Sequence, residues 1–137
     1  MRIAVVDGQG GGIGKHITKR LREELPEEVE IIALGTNALA TSVMLKAGAN
    51  EGASGENAVC YVAGQVDIII GPLGIIIPNS MMGELTPKMA EAIACSPGRK
   101  VLLPLLRGNV KLVGLGIPEP LPHLIEEAVA EIKAMLS

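Results

Sequence analysis

The stretch Ile3-Ala4-Val5-Val6-Asp7-Gly8-Gln9-Gly10-Gly11-Gly12-Ile13-Gly14 decides the fold. Its first four residues are apolar and rich in β-branching, the mark of a short strand buried on both faces. The chain then turns through glycine, which fills four of the five positions 8–12. Ile13, Ile17, Leu21 and Leu25 follow at helical spacing, with Lys15, Lys19, Arg22 and Glu23 turned outward. That is an amphipathic helix, ended by Pro26. Strand, glycine loop and helix form the opening unit of a parallel α/β sheet.

The same alternation continues outward from this unit. Val29 to Leu34 reads as a second strand, and Gly35-Thr36-Asn37 as a turn plus N-cap. The next helix carries Leu39, Val43 and Ala47 inward and closes at Gly48. Residues 48–57 (GANEGASGEN) read as the longest loop, with a short helix from Glu56 to Gly64 behind it. Val66 to Ile70 is the third strand, ending at Gly71-Pro72-Leu73-Gly74, and Ile75-Ile76-Ile77 fits a short strand or a buried loop equally. Thr86-Pro87 is an N-cap and N1 pair opening a helix with Met89, Ala90, Ile93 and Ala94 inside. Val101 to Leu105 and Val110 to Leu115 read as the fourth and fifth strands. Arg107-Gly108-Asn109 between them is short enough for an antiparallel hairpin. A last helix from Pro122 buries Ile125, Ala128, Val129, Ile132 and Leu136.

These elements predict one Rossmann-like domain over residues 1–137, an α/β three-layer α/β/α sandwich. Its mostly parallel five-stranded sheet has the expected order 2-1-3-4-5, the last strand being antiparallel if the hairpin closes.

Composition narrows the partners. The chain has 137 residues, 48% of them hydrophobic and only 1% aromatic, so Ile, Leu, Val, Ala and Met must fill the core. A net charge of −3 and a single Tyr provide neither a basic footprint nor a stacking platform, which argues against nucleic acid. A mean hydropathy of +0.40 argues against disorder. The apolar runs fall short of the roughly 20 residues a membrane span needs. Cys60 and Cys95 form neither a CxxC pair nor a disulfide framework, and they read as small buried apolar groups. Met1-Arg2 leads straight into the first strand, so a cytoplasmic location is expected.

The chemistry is expected at the carboxyl ends of the strands, near the switch point of the sheet. There, Gly8, Gly12 and Gly14 give G-x-x-x-G-x-G between a strand and a helix. Glycines let backbone N–H groups approach an anion, and the helix N-terminus adds partial positive charge. Gly8, Gln9, Gly10, Gly11, Gly12, Ile13 and Gly14 are the candidates to cradle a phosphate. Thr36 and Asn37 would meet a ribose, and Gly71, Pro72 and Gly74 the far end of a small phosphate-bearing ligand. The plainer alternatives are glycines kept for tight packing and an ordinary N-cap at Asn37. No carboxylate follows the second strand to bind ribose hydroxyls, which favours NADP(H) over NAD. Asp7 either orders the loop through backbone N–H groups, binds Mg²⁺, or argues against a diphosphate; loop ordering is the favoured reading. A metal-assisted enzyme using Asp7 and Glu84 is a further, less supported reading. A P-loop does not fit, because Gln9 stands where its first glycine belongs and His16 replaces its hydroxyl residue. His16 and His123 lack the spacing of metal ligands.

Two resemblances follow from these motifs. The stretch VVDGQGGGIGKHITKRL resembles the coenzyme loop of short-chain dehydrogenases/reductases, TGxxxGIG, which implies an NADP-type ligand. It departs from that pattern at Asp7, where those proteins carry Thr. Their Tyr-x-x-x-Lys has no counterpart either, since Gln65 stands where Tyr61 would need its Lys. Their chemistry is therefore not implied, and catalytic residues stay unassigned. Over nearly the whole chain, DGQGGGIG, ALGTNALAT, GPLGIIIPNSM and GELTPKMAEAI are similar to a family of short uncharacterised bacterial proteins, a resemblance that implies no activity. Ile75, Ile76, Ile77, Met81 and Met82 are more than a rim loop readily hides, so a homo-oligomer, first a dimer, is expected through Leu73 to Met82. A non-catalytic regulatory or interaction subunit is the alternative function.

Overall fold

The computed structural model describes residues 1–105 and 108–137. Five strands, β1 (Arg2–Asp7), β2 (Glu30–Gly35), β3 (Glu51–Ser54), β4 (Ile68–Pro72) and β5 (Arg99–Leu103), form one sheet. Its order is β3-β2-β1-β4-β5, and every pairing is parallel. The helices are α1 (Gly12–Glu24), α2 (Ala38–Lys46), α3 (Glu56–Ala63), α4 (Pro87–Ala94) and α5 (Leu121–Leu136).

Strand alternation sorts the apolar residues into two cores. Ile3, Val5, Ile31, Ala33, Ile68 and Ile70 face α1, α2 and α5. Ala4, Val6, Ile32, Leu34 and Ile69 face α3 and α4. With helices on both faces, the inner strands have no solvent side, which is why they read as unbroken aliphatic runs. The chain winds outward from β1 to β3, returns across the sheet, and winds the other way through β4 and β5. The reversal falls between β1 and β4, so the loops after these strands meet at the switch point.

Two readings of the sequence change. The predicted long loop contains β3, whose four residues EGAS show no apolar alternation because the strand is a largely exposed edge. It is held in place from outside itself. The Asn50 side-chain carbonyl accepts the Ile31 N–H at 2.8 Å, and the Asn50 backbone N–H donates to the Ile31 carbonyl at 2.8 Å, which steers the chain along β2. The predicted fifth strand, Val110 to Leu115, is neither strand nor helix. Glycines with positive φ flank Val110–Val113 on both sides (Gly108 and Gly114), with Gly116 beyond, and the run does not pair with β5 of its own chain. The sheet thus gains a parallel strand beside β2 and lacks the antiparallel one beside β5. Arg107, part of the expected hairpin turn, lies outside the described residues.

The Ile75 run forms a 3-10 turn over Leu73–Ile76. Ile75 is fully buried, and Ile76 and Met81 pack against the second core. Most of the apolar content expected at an oligomer interface is therefore consumed within the chain; Met82, 97% exposed, is the exception. Cys60 is half-buried, and burial pushes its thiol up, whereas Cys95 is exposed rather than in the core.

Candidate functional site

Asp7 ends β1 with its side chain buried beneath the glycine loop. One carboxylate oxygen accepts the Gly8 N–H at 2.8 Å and the other the Gly14 N–H at 2.7 Å. Gly14 is the third residue of α1, the position whose N–H an N-cap side chain ordinarily satisfies. The N-cap here is Gly11, which has no side chain to offer, so Asp7 caps the helix from the strand. Burial pushes the Asp7 carboxyl up, with the nearby charge of Glu84 adding to the rise, while the N–H groups of Gly14 and Gly8 pull it back. Both oxygens are engaged in ordering the loop.

The glycines divide into two kinds. A Cβ on Gly11 would lie 2.8 Å from the Ala40 Cα, and its φ of +73° already favours glycine. A Cβ on Gly14 would lie 2.8 Å from the Asp7 Cβ and 2.5 Å from the Met44 sulfur. One on Gly8 would collide with the Thr36 hydroxyl. These three are glycine because strand, loop and helices pack closely. Gly10 and Gly12 differ: a Cβ on either meets nothing within 4 Å, and neither has a positive φ. Their N–H groups make no hydrogen bond to any described residue.

Thr36 and Asn37, after β2, stand beside this loop. Asn37 caps α2 by accepting the Ala40 N–H at 2.8 Å, as the sequence suggests, and its amide donates to the Gln9 carbonyl at 3.0 Å. Between them sits Glu84, a hydrogen-bonding group that the sequence already sets near the cleft, at the end of the 71–84 segment. One oxygen of Glu84 accepts from the Gln9 N–H at 2.8 Å, the Thr36 hydroxyl at 2.7 Å and the Asn37 amide at 2.8 Å. The bonds from Thr36 and Gln9, more than that from Asn37, hold the Glu84 carboxyl below its ordinary range. Glu84 arrives on a tight run in which Asn79, Met81, Met82 and Gly83 all have positive φ. Leu85, fully buried, fixes that run to the core.

Gly71 and Pro72 are buried strand residues, and a Cβ on Gly71 would collide with the Val6 carbonyl. Gly74 lies under Ser80, whose hydroxyl donates to its carbonyl. Glu84, rather than these three residues, makes the described contacts to Gln9, Thr36 and Asn37.

Glu84→Ala is expected to cost about 1–2 kcal/mol near neutral pH by stranding three donors at a partly exposed site. Because the folded carboxyl titrates below its ordinary 4.5, this stabilisation is complete above that value and fades as pH falls through the lowered one. Urea unfolding of both proteins between pH 3.5 and pH 7, on the order of a dozen conditions, checks it; a constant gap would contradict the assignment.

A doubly wound parallel sheet, with a glycine-rich strand-to-helix loop at its switch point, makes this a Rossmann-like α/β protein. The chain belongs to the family described as Domain of unknown function (DUF3842), whose model matches residues 2–137. The search of curated proteins finds no match. Among solved structures, the chain is similar to a dodecameric FMN-dependent UbiX-like decarboxylase from Escherichia coli. The identity is 14% and the TM-score 0.57, over 99% of this chain and 94% of that one. It is also similar to apo saccharopine dehydrogenase (L-Glu forming) from Saccharomyces cerevisiae, at 13% identity and a TM-score of 0.51. That likeness covers 77% of this chain but only 22% of the dehydrogenase. Both likenesses concern the fold. No helix among the described residues is long and apolar enough to cross a membrane.

Proposed function

We propose that the protein binds a phosphate-bearing nucleotide at the N-terminus of α1. The observation that carries this reading is the pair Gly10 and Gly12, glycine where neither packing nor backbone asks for it, with N–H groups that make no hydrogen bond to any described residue. A side chain there would cover the donors an anion needs. Gln9 and Ile13 flank these donors, while Gly8, Gly11 and Gly14 shape the loop. The FMN-dependent protein that matches 99% of this chain supports a nucleotide-type ligand.

The coenzyme preference changes with Glu84. NADP(H) is the expectation when the pocket beside Thr36 and Asn37 is neutral. Glu84 makes it negative, since its carboxylate bonds both residues. A 2′-phosphate would meet that charge, whereas free ribose hydroxyls can donate to the second carboxylate oxygen. Among dinucleotides, NAD is therefore expected to bind more tightly than NADP by about tenfold or more, roughly 1.4 kcal/mol. Calorimetry with both coenzymes checks the order, and tighter NADP binding would overturn it.

The test of the whole reading is a thermal-shift panel of NAD, NADP, FMN, ATP and sugar phosphates at millimolar concentration. A ligand at 100 times its Kd adds about 2.7 kcal/mol to stability. A melting temperature unmoved by every compound would refute nucleotide binding.

A further inference from the structure

We infer that Val110-Lys111-Leu112-Val113 of one chain docks along β5 of a second copy, in the groove between β5 and α5, and that the exchange is reciprocal. This does not rest on the nucleotide reading. Two features of the chain each lack what the other supplies. The first is the sheet edge. Among the described residues β5 pairs with β4 alone, so its outer row of N–H and C=O groups has no strand beside it. An open edge of this kind is a template for strand addition. Beside it runs a groove of about 440 Å³, with Val101, Leu102, Leu124 and Ala128 among its walls. Glu127 and Glu131 also line it, one helical turn apart. Neither glutamate makes a salt bridge to a described residue. The far wall is fixed, because Arg20 of α1 holds Glu126 of α5 at 2.7 Å.

The second feature is the segment itself. Val110 to Leu115 has the composition of a strand, yet Val113 is 95% exposed, Leu115 55% and Ile117 88%. Among the described residues these are the longest run of apolar side chains left in water, against the tendency of lone soluble proteins to avoid such patches. Its one charge before Gly114 is Lys111, which also lacks a described salt-bridge partner. In an extended strand alternate residues share a face, so Lys111 and Val113 point the same way. That face matches the groove in both respects: Val113 meets its apolar wall, and Lys111 meets the Glu127 and Glu131 carboxylates. Leu112, half-buried, stays against its own chain. The hairpin legible in the sequence is thus completed between two chains, and a two-fold axis makes both halves equivalent.

Light scattering on the full chain at micromolar concentration should give twice the 14.2 kDa chain mass. Val113→Asp should raise the dimer dissociation constant at least about tenfold. Since that side chain is exposed in the single chain, the variant remains folded by circular dichroism. Lys111→Glu should also weaken the dimer, and Lys111→Glu combined with Glu127→Lys and Glu131→Lys should restore it. A monomer mass for the unmodified protein overturns the inference. So does a Val113→Asp variant that stays fully dimeric, or a charge exchange that fails to restore assembly.

Discussion

Gly12→Val should leave the fold intact and abolish nucleotide-dependent stabilisation, whereas Gly14→Val should unfold at a much lower temperature. The two glycines are separated by one residue in the same loop, but their surroundings differ. A side chain at Gly12 enters open space at the first position of α1, so it costs the free protein little. It would, however, add bulk beside the Gly12 N–H at the first turn of α1 and is expected to keep a phosphate at a distance. The stabilisation of about 2.7 kcal/mol expected from ligand at 100 times its Kd should disappear. At Gly14 the added atoms collide with Asp7 and Met44, and the hydrogen bond from Gly14 to Asp7 is strained with them. Overpacking of this kind, with loss of a buried bond, costs about 2–4 kcal/mol. For a chain this long, that lowers the melting temperature by roughly 6–16 °C. Scanning fluorimetry of both variants, with and without ligand, separates the roles. Retained binding in Gly12→Val would remove the phosphate from the loop. Unchanged stability in Gly14→Val would show that packing does not demand glycine there.

Much of the fold is legible in the sequence because its cause is local. The inner strands carry aliphatic runs, the helices carry one apolar face, and Pro26, Asn37 and Thr86-Pro87 mark ends. Thr86 does cap α4, accepting the Met89 N–H at 3.3 Å. Where the reading fails, the cause lies elsewhere in the chain. β3 is a strand because Asn50 ties it to β2 and because Gly52 lets it pass close to Thr41 and Leu45, and its own four residues announce nothing. Val110 to Leu115 has strand composition, but no described strand of its own chain pairs with it. Composition reports what a segment can do, while pairing depends on what lies beside it.

The same distinction holds at the cleft. The glycine loop and Asn37 are visible because their motifs are contiguous. The neutrality read at Thr36 and Asn37 was true of the neighbouring sequence and untrue of the folded site. Glu84 reaches that site only because β4 lies next to β1 and because the tight run from Asn79 to Gly83 reverses the chain. Its sequence signal is a hydrogen-bonding acid near the expected cleft, while its partners Gln9, Thr36 and Asn37 are set by the fold.

Asp7→Ala should destabilise the protein by about 2–3 kcal/mol at pH 7, the largest effect expected of any polar residue at the site. Two N–H groups lose their acceptor, and α1 loses the side chain that caps its first turn. Water can reach Gly8 and Gly14 poorly, because both are buried beneath the loop. Against this stands the cost of keeping a carboxylate out of water, which is why the Asp7 carboxyl is raised rather than lowered. The sign of the pH dependence follows. A folded-state pKa above the ordinary 3.8 means that the fold prefers the protonated acid. The contribution of Asp7 is therefore fullest below that value and declines as pH rises through the raised one. The gap between the native protein and Asp7→Ala should accordingly be wider at pH 4 than at pH 8. This is opposite in direction to the behaviour expected of Glu84→Ala. Urea unfolding of the two variants beside the native protein reads both slopes in one experiment. If the Asp7→Ala gap narrows in acid, the hydrogen bonds from the loop N–H groups outweigh burial at Asp7.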